Sequence, residues 1–67
     1  MNRDGLIRAL RRYARKRGII FSLSTKKGSG SHYRLRVGER VTTVQKDLNP
    51  GRIERILKQL GIDWSEL

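Results

Sequence analysis

The spacing of apolar residues changes twice along this chain, from a helical period to strict alternation and back to a helical period. Apolar residues three and four positions apart predict an amphipathic helix, whereas alternation predicts a strand with one buried face. The sequence therefore predicts one domain, residues 1–67, in the order α-β-β-β-α. A three-stranded antiparallel sheet with one apolar face gives a compact α+β fold when two helices pack on that face. The other face of the sheet then stays uncovered.

The first helix is predicted from about Asp4, as N-cap, to Arg17, with Gly18 as the left-handed residue that ends it. Its apolar positions share one face: Leu6, Ile7, Leu10, Tyr13 and Ala14. Its basic positions lie on the opposite face: Arg8, Arg11, Arg12, Arg15 and Lys16. Like charges on one helix face repel one another. This basic stripe therefore indicates an anion-binding surface; the alternative is a solvated face that only keeps the protein in solution.

Three strands are predicted between the helices, at about Ile19 to Ser24, about Ser31 to Val37, and Arg40 to Val44. In the second strand, Tyr33, Leu35 and Val37 alternate with His32, Arg34 and Arg36. Gly38-Glu39 predicts a two-residue hairpin turn. With that turn, Thr42 and Val44 share a face with Leu35 and Tyr33, whereas a one-residue bulge would reverse this arrangement.

The last third of the chain carries the clearest helix pattern. Asn49 is a predicted N-cap and Pro50 occupies the first helical position. The apolar positions that follow have helical spacing: Ile53, Ile56, Leu57 and Leu60. Leu48 is predicted to pack on Ile53, and Gly61 to end the helix. Residues 63–67 predict a short turn or a frayed helical end.

Charge is distributed unevenly along the chain. The net charge is +10, and residues 1–46 carry thirteen basic and two acidic side chains, whereas residues 47–67 carry three basic and four acidic ones. A domain this basic typically meets phosphate backbones. An anionic membrane surface or an acidic protein is the competing partner for such charge.

The residue inventory excludes several classes of protein. With no cysteine and one histidine, the chain has neither a disulfide scaffold nor a cysteine or histidine-rich zinc site. No cofactor is expected. The longest apolar run, Ile19-Ile20-Phe21, is far too short to span a membrane, and no secretory signal is visible. A cytoplasmic protein is expected, and because a chain this short buries little core, self-association or a partner chain would stabilise it.

The candidate site is the segment that leads into the second strand. Gly28, Ser29, Gly30 and Ser31 form a loop whose backbone N–H groups can approach an anion, and Lys26 and Lys27 flank it. His32 follows, on the predicted open face with Arg34 and Arg36, and imidazole transfers protons near neutral pH. RNA supplies its own nucleophile, the 2′-hydroxyl, so an imidazole with nearby cations can support cleavage without a metal. The alternative is a surface histidine that stacks on a base or has no role.

These residues resemble a known family. Gly30-Ser31-His32-Tyr33-Arg34-Leu35, Gly38-Glu39-Arg40-Val41-Thr42-Thr43-Val44, and the segment from Leu48-Asn49-Pro50-Gly51-Arg52-Ile53 to Gly61-Ile62 are similar to the HicA family of mRNA interferase toxins. The resemblance implies a fold like a double-stranded RNA-binding domain, metal-independent cleavage of mRNA, His32 as the catalytic residue, and inhibition by a HicB-type antitoxin. The connection Gln45-Lys46-Asp47 is shorter than in many members, which leaves substrate contacts there undefined.

Two other functions fit the same charge. The α-β-β-β-α order and the basic first helix also suit a non-catalytic double-stranded RNA-binding module, and Arg8, Arg12 and Arg15 of that helix are predicted to bind RNA in the toxin as well. Such modules read duplex RNA through backbone and 2′-hydroxyl contacts, and a row of lysines at the start of the last helix is expected for them, whereas Arg52 is the one charge in that first turn here. A ribosome-associated basic protein would need only the positive charge, but this interpretation does not explain the Gly-Ser-His segment.

Overall fold

The computed structural model describes residues 2–25 and 32–67, apart from the side chain of His32. Within these residues the elements follow the order α-β-β-β-α, so the predicted α+β fold is confirmed. The elements are α1 (Arg3–Arg17), β1 (Phe21–Ser24), β2 (His32–Val37), β3 (Arg40–Gln45), α2 (Pro50–Leu60) and a 3-10 helix (Trp64–Glu66). No helix in this part of the chain combines the length and the apolar character that crossing a membrane requires.

The cap of α1 differs from the prediction. Asn2, not Asp4, is the N-cap, because its side-chain oxygen accepts a hydrogen bond from the Gly5 amide at 2.8 Å. Asp4 lies inside the first turn, where a carboxylate interacts favourably with the positive end of the helix dipole. Gly18 ends the helix in the left-handed conformation with φ 68°, as predicted.

The three strands form one antiparallel sheet in the order β1-β2-β3, so β2 is the central strand. Leu35 pairs with Thr42 and Tyr33 pairs with Val44, and Gly38 adopts φ 65° in the turn between β2 and β3. The predicted register without a bulge is therefore confirmed. β3 extends one residue beyond the prediction, to Gln45, which pairs with His32.

The first strand begins two residues later than predicted, at Phe21. The Ile19 amide donates to the Ala14 carbonyl at 3.0 Å, so this residue closes α1 instead of opening a strand. Ile19 and Ile20 are both exposed. The predicted start of the second strand, Ser31, lies outside the described residues.

Both helices pack on the same face of the sheet, as predicted. Every described buried apolar side chain except Ile7 belongs to a single cluster: Leu6, Leu10 and Ala14 of α1, Leu35, Val37 and Val44 of the sheet, and Ile53, Ile56, Leu57, Leu60 and Ile62. Burial of one such side chain contributes about 1.5–3 kcal/mol. Because strand residues alternate between faces, the residues between the buried ones of β2 and β3 lie on the other side of the sheet.

The second helix begins and ends as predicted. The Asn49 side chain accepts a hydrogen bond from the Arg52 amide at 2.9 Å, and Pro50 is the first helical residue. Gly61 ends the helix with φ 72°, and the Ile62 amide donates to the Leu57 carbonyl at 2.9 Å. This return bond buries Ile62 and directs the chain back towards α1, where the 3-10 helix lies.

Candidate nucleic-acid interface

The face of the sheet that points away from the helices carries exposed polar and basic side chains. In the register, Arg34 lies between Ser24 and Thr43, and Arg36 lies between Ser22 and Val41. We call this surface the open face: Ser22, Ser24, Arg34, Arg36, Val41 and Thr43, all exposed. No described helix covers it, since both helices contribute buried residues to the cluster on the other face. The alternation in β2 therefore presents Arg34 and Arg36 to solvent, as the sequence predicts.

His32 begins the central strand, and its backbone is opposite Gln45 of β3. Its side chain is outside the described part of the chain, so the direction of the imidazole stays a prediction. The six predicted anion-binding residues of the preceding loop also lie outside the described residues: Lys26, Lys27, Gly28, Ser29, Gly30 and Ser31. The structure thus defines where His32 lies in the sheet and which residues of β2 and β3 are next to it.

A groove between β3 and α2 adjoins the end of the sheet where His32 begins its strand. Gln45 accepts a hydrogen bond from the Arg52 guanidinium, so the cross-strand partner of His32 holds a cation of α2. The groove has a volume of about 480 Å³, and Thr43 and Arg55 also line it. We call it the β3–α2 groove. The groove therefore adds three residues to the basic residues of the open face: Gln45, which is the strand partner of His32, and Arg52 and Arg55 of α2.

Gln45 and Arg55 are not among the residues that the sequence predicts to bind RNA, and Arg52 is noted there only as the one charge in the first turn of the last helix. The hairpin register already places Gln45 opposite His32, so that neighbour could have been found from the turn. The contact of Arg52 with Gln45 could not, because it depends on how α2 is rotated against β3. The Asn49 cap and the short connection after Gln45 hold the first turn of α2 against that strand.

The basic stripe of α1 is exposed along its whole length. We call it the α1 stripe: Arg8, Arg11, Arg12, Arg15 and Lys16. Arg11 lies over the Phe21 ring, with its guanidinium carbon 5.2 Å from the ring centroid. In residues 2–25 and 32–67 the one ion pair is between Arg17, outside the stripe, and Glu66 at 3.3 Å. Arg8, Arg12 and Arg15 therefore have no carboxylate partner there, which leaves their charge available to an external anion.

Those predicted RNA-binding residues that the structure describes lie on two surfaces. Leu6 and Leu10 of α1 point towards the sheet, so Arg8, Arg12 and Arg15 point away from it. The arginines of the open face point away from the sheet in the opposite direction. The molecule extends 17 Å along its shortest axis, so one phosphate cannot contact both surfaces. The open face and the β3–α2 groove form one candidate interface, and the α1 stripe forms another.

No protein-family model, no curated protein and no solved structure matches this chain.

Proposed function

We propose that this chain is a metal-independent endoribonuclease that cleaves mRNA, with His32 as general acid or base, in the manner of the HicA toxins that its sequence resembles. The observation that carries the proposal is the position of His32. His32 begins the central strand of the sheet. The alternate residues that follow it in this strand, Arg34 and Arg36, are exposed on a face that no described helix covers. A basic, uncovered surface next to a proton-transfer group suits a phosphodiester substrate.

The chemistry needs only groups that this chain and RNA supply. The 2′-oxygen attacks the adjacent phosphorus, the O2′–P bond forms and the P–O5′ bond breaks, which leaves a 2′,3′-cyclic phosphate and a 5′-hydroxyl. One proton leaves the 2′-hydroxyl and one reaches the 5′-oxygen, and His32 performs one of these transfers. Because His32 is the chain's one histidine, the other transfer falls to a lysine, a tyrosine, water or the substrate.

The cations have a separate task, which is to stabilise negative charge that develops on the phosphate oxygens. Arg34 is two residues from His32 in β2, and Arg52 is hydrogen-bonded to the residue opposite His32. Guanidinium groups hold phosphate oxygens through two parallel hydrogen bonds. A cation in β2 and another next to the adjoining strand β3 would therefore orient the scissile phosphate on the open face.

The product ends provide the test of this proposal. Incubation of the purified chain with an mRNA transcript in the presence of EDTA is expected to give fragments with 2′,3′-cyclic phosphate and 5′-hydroxyl ends, identified by mass spectrometry. Cleavage that stops in EDTA, or that leaves 3′-hydroxyl ends, would contradict the mechanism. Transcript that stays intact although it binds the chain would favour the non-catalytic module instead.

The same proposal implies a cytoplasmic toxin–antitoxin pair. A HicB-type antitoxin would present an acidic surface to Arg34 and Arg36 and an apolar contact to Val41, which lies opposite Arg36 in the edge strand β3 and is 47% exposed. Induced expression of the chain in a bacterium is expected to stop growth and degrade RNA, and co-expression of the adjacent reading frame is expected to restore growth. Toxicity that the adjacent gene does not change would contradict the pairing.

RNA binding through phosphates predicts a strong salt dependence. Each phosphate contact in a complex releases counterions, so affinity falls steeply as salt rises. We expect the affinity for RNA to fall about 100-fold or more between roughly 50 and 200 mM salt. The double variant Arg34→Gln, Arg36→Gln is expected to reduce the salt slope by about two if each arginine contacts one phosphate. An unchanged slope in filter binding would show that RNA does not use the open face.

A second function is favoured by one observation. Arg8, Arg12 and Arg15 are exposed on the helical side of an α-β-β-β-α domain, away from the open face. A double-stranded RNA-binding module would use this side and would bind a duplex without cutting it. The two functions differ in their response to Arg8→Gln with Arg12→Gln, which would abolish duplex binding by the module but leave the cleavage surface in place.

A further inference from the structure

We propose that a groove between α1 and the C-terminal 3-10 helix binds a nucleotide of single-stranded RNA, with the base stacked on Trp64 and the phosphate held by Arg8 and Arg12. The groove has a volume of about 400 Å³, and it is lined by Gly5, Arg8, Ala9, Arg12, Trp64 and Leu67. We call it the Trp64 groove. It lies on the helical side of the molecule, so it is separate from the open face and from the β3–α2 groove.

The first reason for this assignment is the exposure of a large aromatic side chain. Trp64 is 44% exposed, and it belongs neither to the buried cluster nor to the partly buried side chains that pack against that cluster. Single-stranded RNA is bound by proteins through bases that stack on aromatic rings, and every base has a face suited to this contact. An indole that is accessible beside cationic side chains therefore matches the chemistry of an unpaired nucleotide.

The second reason is the composition of the groove walls. Gly5 and Ala9 are one helical turn apart on α1 and have little or no side chain, so a planar ring can approach the helix between Trp64 and the arginines. Arg8 and Arg12 are also one turn apart, and neither has a carboxylate ion-pair partner among the described residues. A volume of this order lies in the range of small-molecule sites, about 300–1,000 Å³.

The third reason is that Trp64 is held in place rather than left on a free chain end. Asp63 caps the 3-10 helix by accepting hydrogen bonds from the Ser65 amide at 3.0 Å and from the Ser65 hydroxyl at 3.1 Å. Glu66 accepts a hydrogen bond from the Tyr13 hydroxyl at 3.4 Å and pairs with Arg17. Both sides of Trp64 are thereby tied to a defined position, which lowers the entropy cost of ordering a stacking platform.

The bonds that Asp63 accepts also lower the pKa of its carboxyl, with the Ser65 amide as the largest cause and the Ser65 hydroxyl as the next. A carboxyl whose pKa is lowered by folding stabilises the folded arrangement above its unfolded-state pKa, and this contribution is lost as pH falls through the folded pKa. The Asp63 carboxylate therefore caps the 3-10 helix that carries Trp64 at neutral pH.

Trp64 is the single tryptophan of the chain, so its fluorescence reports on this groove directly. The titration uses the full chain with His32→Ala, so that RNA is not consumed, and an oligouridylate as ligand. Stacking is expected to quench the fluorescence as the oligonucleotide binds, whereas inorganic polyphosphate and polyglutamate, which have charge but no bases, are expected to leave it nearly unchanged. Equal quenching by polyglutamate would overturn the proposal in favour of an acidic protein partner.

Substitutions distinguish the contribution of stacking to RNA affinity from the contribution of charge and from loss of folding. Trp64→Leu, which keeps an apolar side chain without a ring face, is expected to weaken oligouridylate binding about 5- to 150-fold, measured by anisotropy of a labelled oligonucleotide. Trp64→Phe is expected to retain most of the affinity. Arg12→Ala is expected to weaken binding more than Lys58→Ala, which removes one exposed positive charge from the last turn of α2. Circular dichroism shows whether each variant is folded.

The choice of RNA as the ligand of the Trp64 groove rests on the proposed function, in which RNA is the substrate. The experiments can nevertheless contradict the groove and the nuclease separately. Unquenched fluorescence at concentrations where anisotropy shows binding would overturn the Trp64 groove and leave cleavage on the open face standing. Quenching of the His32→Ala chain, together with no cleavage of RNA by the parent chain, would support the groove and contradict the nuclease. A Trp64→Leu variant that binds like the parent would also overturn the groove.

Discussion

Replacement of His32 by alanine is expected to lower the rate of RNA cleavage by about 10²- to 10⁴-fold, because a positioned general acid or base contributes about that factor. RNA binding is expected to change little, since Arg34 and Arg36 remain on the open face. The measurement is single-turnover cleavage of a labelled transcript with enzyme in excess, alongside filter binding of the same RNA. Single-turnover conditions separate the chemical step from product release.

A matched control is Ser22→Ala, which alters an exposed residue of the open face opposite Arg36 and removes no charge. It is expected to cleave at the rate of the parent chain. If His32→Ala and Ser22→Ala cleave equally fast, His32 has no catalytic role and the proposed mechanism is wrong. If His32→Ala loses binding in proportion to cleavage, the imidazole contributes to affinity and not to proton transfer.

The second large effect concerns folding. Leu35 lies in the central strand, is 0% exposed and belongs to the cluster that joins both helices to the sheet. Leu35→Ala is expected to lower the free energy of unfolding by about 2–5 kcal/mol, through lost burial and the cavity that remains. A single core in a chain of this size supplies about 3–5 kcal/mol. The loss is therefore comparable with the whole stability of the fold, and the variant is expected to unfold at a much lower urea concentration than the parent chain.

Urea denaturation followed by circular dichroism measures this change. The control is Val41→Ala, because Val41 is in the neighbouring strand but 47% exposed, and exposed substitutions change stability by about 0.5 kcal/mol or less. A Leu35→Ala chain as stable as Val41→Ala would show that the cluster on the helical side of the sheet does not stabilise the fold.

Much of the fold could be predicted from local patterns. The elements have short connections and distinct periods, and the caps at Asn49 and Gly61 occur where local chemistry requires them. The start of α1 was mispredicted because Asn2 and Asp4 both suit an N-cap, and only the positions of the first amides decide between them. The start of β1 was mispredicted because alternation continues through Ile19, whose amide is used by the end of α1.

The candidate interfaces were predicted less completely, because contacts between distant segments depend on how the layers pack. The exposure of Arg34 and Arg36 follows from alternation along one strand, but the hydrogen bond from Arg52 to Gln45 joins a strand to a helix. The same holds for the Trp64 groove, since the residues that meet there come from the two ends of the chain. No periodicity relates Arg8 to Trp64.

The placement of cations on both sides of a thin molecule has a consequence for stoichiometry. If RNA binds as proposed, an oligonucleotide too short to reach across a thickness of 17 Å would occupy either the open face or the α1 stripe, and two such molecules would fit on one domain. A long strand would pass around the domain and engage both surfaces, so one strand would saturate the protein. The proposal therefore implies two short oligonucleotides per domain but one long strand, and with long strands in excess the two surfaces of one domain would bind separate RNA chains.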